Sequence, residues 1–197
     1  MNNTTEKKIF VIDFDSTITK VEGLDQLAAI ALENSPEGEK TVAEIRKITE
    51  KGMSGELSFS EALSQRLSLL KASKSHIDAL VTYLHDNISD SFLRNKSFLE
   101  EYSENILVVS SGFKEFIIPI IESLGLNPAS VYANTFEFDP EGNITGCDQN
   151  NVLAQTGGKI KLMESLKLDA HVSVIGDGFT DYEIKKYTYA YPIHDKG

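Results

Sequence analysis

The octet Phe10-Val11-Ile12-Asp13-Phe14-Asp15-Ser16-Thr17 constrains what this chain can fold into more than any other segment. A near-continuous apolar run, Ile9 to Ile12 and then Phe14, leads directly into two acids spaced two apart. In a strand, positions i and i+2 point to the same side. Asp13 and Asp15 are therefore expected to converge at the strand's C-terminal end, where open α/β sheets hold their ligands. Two carboxylates that close repel each other, and a fold tolerates them only with a proton, a cation or a chemical reason. Taken alone, the octet also allows a solvated strand end with acidic decoration.

Short β-rich runs alternate with helical stretches along the rest of the chain, the pattern of a mostly parallel sheet flanked by helices. The clearest strands are Ile9–Phe14, Ile106–Ser110 and Val172–Ile175, ending in Asp-Phe-Asp, Ser-Ser-Gly and Gly-Asp-Gly. Three polar strand ends predict one cleft along one edge of the sheet. Between the first two strands, roughly Glu22 to Asn87, only helical periodicity appears. Ser35-Pro36 reads as an N-cap with proline at the first helical position. Ser58-Phe59-Ser60-Glu61 reads as a capping box, and a further helix is expected after Ser75. About seventy residues is too long for one ordinary crossover, so a small inserted bundle is expected. Phe113–Leu124 reads as a helix containing Pro119, and Phe136–Gly146 as a hairpin. The fold class is thus α/β, a Rossmann-like three-layer core with an inserted helical-bundle cap after the first strand. Residues 1–20 and 89–197 are expected to form the core and residues 21–88 the cap.

A net charge of −11 argues against a nucleic-acid partner, whose phosphates need a basic face. The single cysteine, Cys147, excludes an internal disulfide framework and fits a reducing compartment. Met1 to Lys8 is polar and no run approaches membrane-spanning length, so the sequence reads as a soluble cytoplasmic protein without a membrane partner. His76, His85, His171 and His194 show no metal-ligand spacing and read as structural or solvated.

Three further elements join the acid pair. Ser110-Ser111-Gly112 closes a strand and opens a helix, offering a hydroxyl and backbone amides to an anion. Lys159 follows Thr156-Gly157-Gly158 at a helix start, and Gly176-Asp177-Gly178-Phe179-Thr180-Asp181 supplies two more acids after a strand. Asp13, Asp15, Asp177 and Asp181 in one cleft call for a cation, and hard oxygen donors without a His/Cys cluster favour Mg²⁺. Mg²⁺ and Lys159 together offset the dianion of a phosphate monoester.

The DFDST start, the strand-end serine, the lysine and the GDGFTD acids occur in the order of the haloacid dehalogenase superfamily, which the chain resembles. Within it, the sequence is most similar to the phosphoserine phosphatase family. There "GELSFSEALSQRLSLLK" looks like the cap segment, "EGNITG" like the flap hairpin and "TGGK" like the approach to the lysine. The resemblance implies that Asp13 attacks phosphorus and forms an aspartyl-phosphate, while Asp15 protonates the leaving alkoxide and later activates water. It implies that Ser110, Ser111, Gly112 and Lys159 hold the phosphoryl oxygens. It also implies that Asp13, the Asp15 carbonyl and Asp177 ligate Mg²⁺, with Asp181 supporting through water or by orienting Lys159. Glu22 and Arg66 match residues that grip a substrate's ammonium and carboxylate, and Met53 and Phe59 match apolar residues that close the site. The implied reaction is Mg²⁺-dependent hydrolysis of O-phosphoserine.

Ser111 stands where that family usually has glycine, adding a Cβ to the phosphate-side turn. After Asp181 the sequence continues for sixteen residues, fewer than the family's further strand and closing helix. The Tyr187–Tyr191 segment then reads as an exposed edge strand, which predicts self-association or a further C-terminal region in a longer chain. Two other readings stand beside the hydrolase: a phosphatase or phosphotransferase for another small phosphate ester, and a non-catalytic Mg²⁺-binding regulatory domain.

Overall fold

A computed structural model describes residues 7–184 and 189–192. Sixteen elements follow in chain order. They are β1 (Lys8–Ile12), α1 (Gly23–Leu32), α2 (Gly38–Ser54), α3 (Phe59–Leu69), α4 (Lys74–Asp86), α5 (Asp90–Arg94), α6 (Lys96–Glu101) and β2 (Ile106–Phe113). Then come α7 (Lys114–Ser123), β3 (Val131–Asn134), β4 (Phe136–Phe138), β5 (Ile144–Cys147), α8 (Gly158–Leu166), β6 (His171–Gly176), α9 (Phe179–Glu183) and β7 (Tyr189–Pro192).

The main sheet has the order β3-β2-β1-β6-β7, and every pairing in it is parallel. Side chains of its central strands alternate between two apolar layers, as the two-residue period of a strand requires. Ile12, Ile106 and Val108 pack with Phe116, Ile117, Ile120 and Ile121 of α7. Ile9, Val11 and Val109 pack on the other face with Leu162 and Met163 of α8. This is a Rossmann-like helix–sheet–helix sandwich. From β1 the chain moves outward to β2 and β3, then returns to the other side of β1 as β6. The strand order therefore reverses beside β1, and the crevice past the C-terminal ends of β1 and β6 is where such sheets bind ligands.

Helices α1 to α6 lie between β1 and β2, with α1 to α4 between the two segments that lead out of and back to the sheet. The chain leaves and re-enters the sheet through two adjacent antiparallel segments. Thr19 bridges Ile88, the Lys20 amide donates to the Asn87 carbonyl at 2.9 Å, and the Ser89 hydroxyl donates to the Thr17 carbonyl at 2.7 Å. The capping box forms as the sequence indicates: the Glu61 amide donates to Ser58 Oγ at 3.3 Å and the Ser58 amide to Glu61 Oε2 at 3.0 Å.

Three expectations shift. Helix α2 begins at Gly38 rather than beside Pro36, because Ser35 and Gly38 are used in turns closing on Leu32 and Ser35 (2.9–3.0 Å). The first strand ends at Ile12, and Phe14–Ile18 winds into a single wide turn, so Asp13 and Asp15 lie just past the strand. Strand β2 runs on through Phe113, with a register shift between Val109 and Phe113, so Ser110 to Gly112 are strand residues and α7 starts only at Lys114. The Tyr189–Pro192 strand is an edge of the sheet, as expected for that segment, while Tyr187 lies outside the described residues.

Candidate active site

One cavity of about 620 Å³ opens over the reversal point and is lined by residues of both the sheet and α1–α3. Asp13, Asp15, Ser110, Ser111, Gly112, Lys159 and Asp177 contribute from the sheet side. Glu22, Met53, Phe59 and Arg66 contribute from the helical side. The fold thus brings together candidates spread over more than 160 positions of the sequence, and Asp181 joins them from beneath through Lys159.

Asp13 is 9% exposed and Lys159 4% exposed. The Lys159 ammonium lies 2.9 Å from Asp13 Oδ1 and 2.7 Å from Asp181 Oδ1. Burial opposes that ammonium, yet the two carboxylates outweigh it and hold Lys159 protonated, well above its ordinary range. Of the two roles expected for Asp181, the contact seen is the one that orients Lys159. Gly176 makes the contact feasible, since a Cβ there would lie 2.4 Å from the Asp181 carboxyl carbon. Lys159 stands at the second position of α8, after Gly157 in the left-handed region at φ +71°.

Desolvation pushes Asp13 well above the usual carboxylate range; Lys159 opposes this, and Asp181 and Asp15 add to it. Asp177, an exposed acid, is also raised, first by desolvation and then by Asp181. Carboxylate oxygens of Asp13, Asp177 and Asp181 lie within 4.8 Å of one another. Three acids face one lysine, so the cluster is short of positive charge. Its all-oxygen donor set suits a hard divalent cation.

Asp15 occupies a different environment. Burial and then the neighbouring Glu22 push its carboxyl up to about 7, against the Gly23 amide, which donates to Oδ1 at 2.7 Å, and the more distant Arg66 and Lys159. An acid near neutrality can both give and take a proton at working pH. Gly112 keeps its other oxygen clear, because a Cβ at that position would come within 2.9 Å of Asp15 Oδ2.

At Ser110–Gly112 the structure departs from a helix N-terminus, since these residues lie in β2 and α7 starts at Lys114. The Gly112 amide donates to Ser110 Oγ at 2.9 Å within the end of β2. Asn134, fully buried, holds the Ser111 carbonyl at 2.9 Å and the Leu153 carbonyl at 3.3 Å, fastening this strand end to the segment before Lys159.

On the helical side Glu22 Oε1 accepts from the Ser16 hydroxyl at 2.7 Å, and desolvation raises its carboxyl. Arg66 Nη2 donates to Asp25 Oδ1 at 2.8 Å, and the same oxygen accepts from Thr49 Oγ1 at 2.8 Å. Met53 is 61% exposed at the mouth, facing a cavity to which Phe179, 69% exposed, also contributes. Sequence reasoning passed over Asp25, Thr49, Asn134 and Phe179. Asp25 carries no local signal, because the partner that gives it a role, Arg66, lies 41 residues away. Cys147 is buried beside Gln149, away from the cavity.

A parallel sheet delivering two acids at its reversal point, with a lysine held between carboxylates and a strand-end serine, defines a phosphoric monoester hydrolase of the haloacid dehalogenase type. Comparison with known proteins bears this out. Mouse phosphoserine phosphatase is 30% identical over 174 residues, spanning 87% of this chain and 74% of that protein. A phosphoserine phosphohydrolase-like protein from Francisella tularensis superposes with a TM-score of 0.79 at 28% identity, over 93% of this chain and 84% of the other. A phospho-aspartyl intermediate analogue of a phosphoserine phosphatase superposes with a TM-score of 0.66 at 26% identity, covering 93% of this chain and 84% of its own. No family model matches the chain. The chain belongs to the phosphoserine phosphatase family.

Proposed function

We propose that this hydrolase cleaves O-phosphoserine to serine and phosphate through an acyl-phosphate on Asp13, with Mg²⁺ as its cofactor. The observation that carries the substrate is the placement of Glu22 and Arg66, opposite charges on the wall of the cavity that also holds Asp13 and Asp15. An amino acid phosphorylated on its side chain offers an ammonium and a carboxylate to just such a pair, and a guanidinium matches a carboxylate geometrically.

Asp13 attacks phosphorus in line and forms the acyl-phosphate. Lys159 and the Ser110 hydroxyl attract the phosphoryl oxygens. Asp15, protonated, passes its proton to the serine oxygen as the P–O bond breaks, then as a carboxylate takes a proton from the water that hydrolyses the acyl-phosphate. Asp13, the Asp15 carbonyl and Asp177 would hold Mg²⁺, which supplies charge neutralisation for the phosphate when bound. Asp181 keeps Lys159 in place.

Asp15→Asn is expected to slow turnover by roughly 10²–10⁴-fold, the range for loss of a general acid–base group. Phosphorylation by an activated aryl phosphate should suffer less, because its leaving group needs no proton. Single-turnover rates for the aryl ester and O-phosphoserine compare the two, and equal losses would exclude Asp15 as the leaving-group acid.

The rival reading is a phosphatase or phosphotransferase for another small phosphate ester, which a cavity of about 620 Å³ also admits. A panel of phosphate esters with and without Mg²⁺ distinguishes the two substrates. Arg66→Ala is expected to shift selectivity by at least about tenfold against O-phosphoserine relative to an ester without a carboxylate. An unchanged ratio would remove the support for an amino-acid substrate.

A further inference from the structure

Glu22 and Arg66 line one cavity, and the Arg66 charge is near enough to oppose the rise that desolvation gives the Glu22 carboxyl, yet the two make no ion pair among the described residues. Each is held by a third group. Ser16 donates its hydroxyl to Glu22 at 2.7 Å, and it does so from φ +53°, a backbone conformation that side chains rarely adopt. Asp25 holds Arg66 at 2.8 Å and is itself fixed by the Thr49 hydroxyl at 2.8 Å. The Arg66 and Asp25 side chains are only 11% and 14% exposed, so the pair sits where charges interact strongly. Arg66 Nε is buried with no acceptor, leaving the guanidinium a donor short of a partner.

Opposite charges free to move within one partly buried pocket would close on each other. A ligand with an ammonium and a carboxylate would then have to break that pair, and its apparent affinity would fall with the fraction of open sites. We infer that Asp25, braced by Thr49, is a positioning residue that holds Arg66 away from Glu22, so that both poles stay open to a zwitterionic substrate. This rests on the amino-acid reading of the cavity given above. Asp25 touches no reacting atom; it acts through Arg66.

Its signature is unusual, because loss of Asp25 should harm recognition of the ammonium, a group Asp25 does not face. The test uses the full chain with Mg²⁺ and phosphoethanolamine, which carries an ammonium and no carboxylate. Asp25→Asn is expected to raise KM for phosphoethanolamine about tenfold, as Arg66 swings onto Glu22, with kcat changing far less. Arg66→Ala alone supplies the reference KM for this substrate. The double variant Asp25→Asn/Arg66→Ala should return KM to the Arg66→Ala value, a rescue by further truncation that a merely structural Asp25 could not give. An unchanged KM in Asp25→Asn, or a double variant as poor as Asp25→Asn, overturns the inference. Thr49→Val, which keeps the packing and frees Asp25, should show the same pattern at smaller size, and its absence also counts against the inference if Asp25→Asn does not fold. A wild type that handles O-phosphoserine no better than phosphoethanolamine would instead overturn the substrate assignment, while the rescue remains readable.

Discussion

Asp13→Asn is expected to abolish phosphomonoester turnover, by roughly 10⁴-fold or more, while leaving the fold at least as stable in metal-free buffer. The amide keeps the shape of the side chain but cannot attack phosphorus. Its effect on folding follows from the charge balance. Asp13 stands with Asp177 and Asp181 around one ammonium, and burial disfavours its ionised form. Removing that charge relieves repulsion, and Lys159 keeps its 2.7 Å contact to Asp181. Initial rates and a thermal melt without divalent cation check both halves. A variant that loses activity because it melts early would place Asp13 among the structural residues instead.

Lys159→Met should produce the largest loss of stability at a single position in the site. It removes the one cation between Asp13 and Asp181 at a position only 4% exposed. Breaking a buried pair from one side leaves uncompensated charge and costs about 3–5 kcal/mol. The sign with pH follows from the carboxylates. Asp13 and Asp177 have folded-state values above their ordinary ones, so their ionised forms already oppose folding. That penalty disappears as pH falls through the raised values, so the variant's deficit should be greatest above neutrality and shrink in acid. Added Mg²⁺ should narrow the gap by supplying the missing charge. Melting curves over a pH series, with and without Mg²⁺, measure all of this. A deficit that grows in acid would contradict the charge argument.

Much of this arrangement was legible in the residues. The strand cores are short apolar runs with polar ends, and that pattern carries the parallel sheet and a cleft at one edge, while the reversal of strand order between β1 and β6 emerges only from the sheet itself. The Ser58–Glu61 capping box was readable because both halves of the motif are local. What failed to show was decided by contacts distant in sequence. Asp25 looks like an ordinary acid in the first turn of α1, and its partner Arg66 lies 41 residues away. The extension of β2 through Phe113 could not be read from Ser110-Ser111-Gly112, because small residues suit a strand end and a helix start equally. Likewise Pro36 suits the first turn of a helix or the loop before one, and the turn closing on Leu32 settles it. Phe179 sits inside an acidic motif and attracts no notice there, yet it is one of the most exposed aromatic residues beside the cavity.

Phosphate is expected to pass through Asp13 on its way to water. Rapid quenching of the protein with ³²P-labelled O-phosphoserine, followed by peptide mapping, tests it directly. Transient label is expected on the peptide containing Asp13, released by hydroxylamine as an acyl-phosphate must be, and absent from Asp13→Asn. Label on Ser110 or on a histidine, or turnover with no labelled protein at any time point, would contradict it.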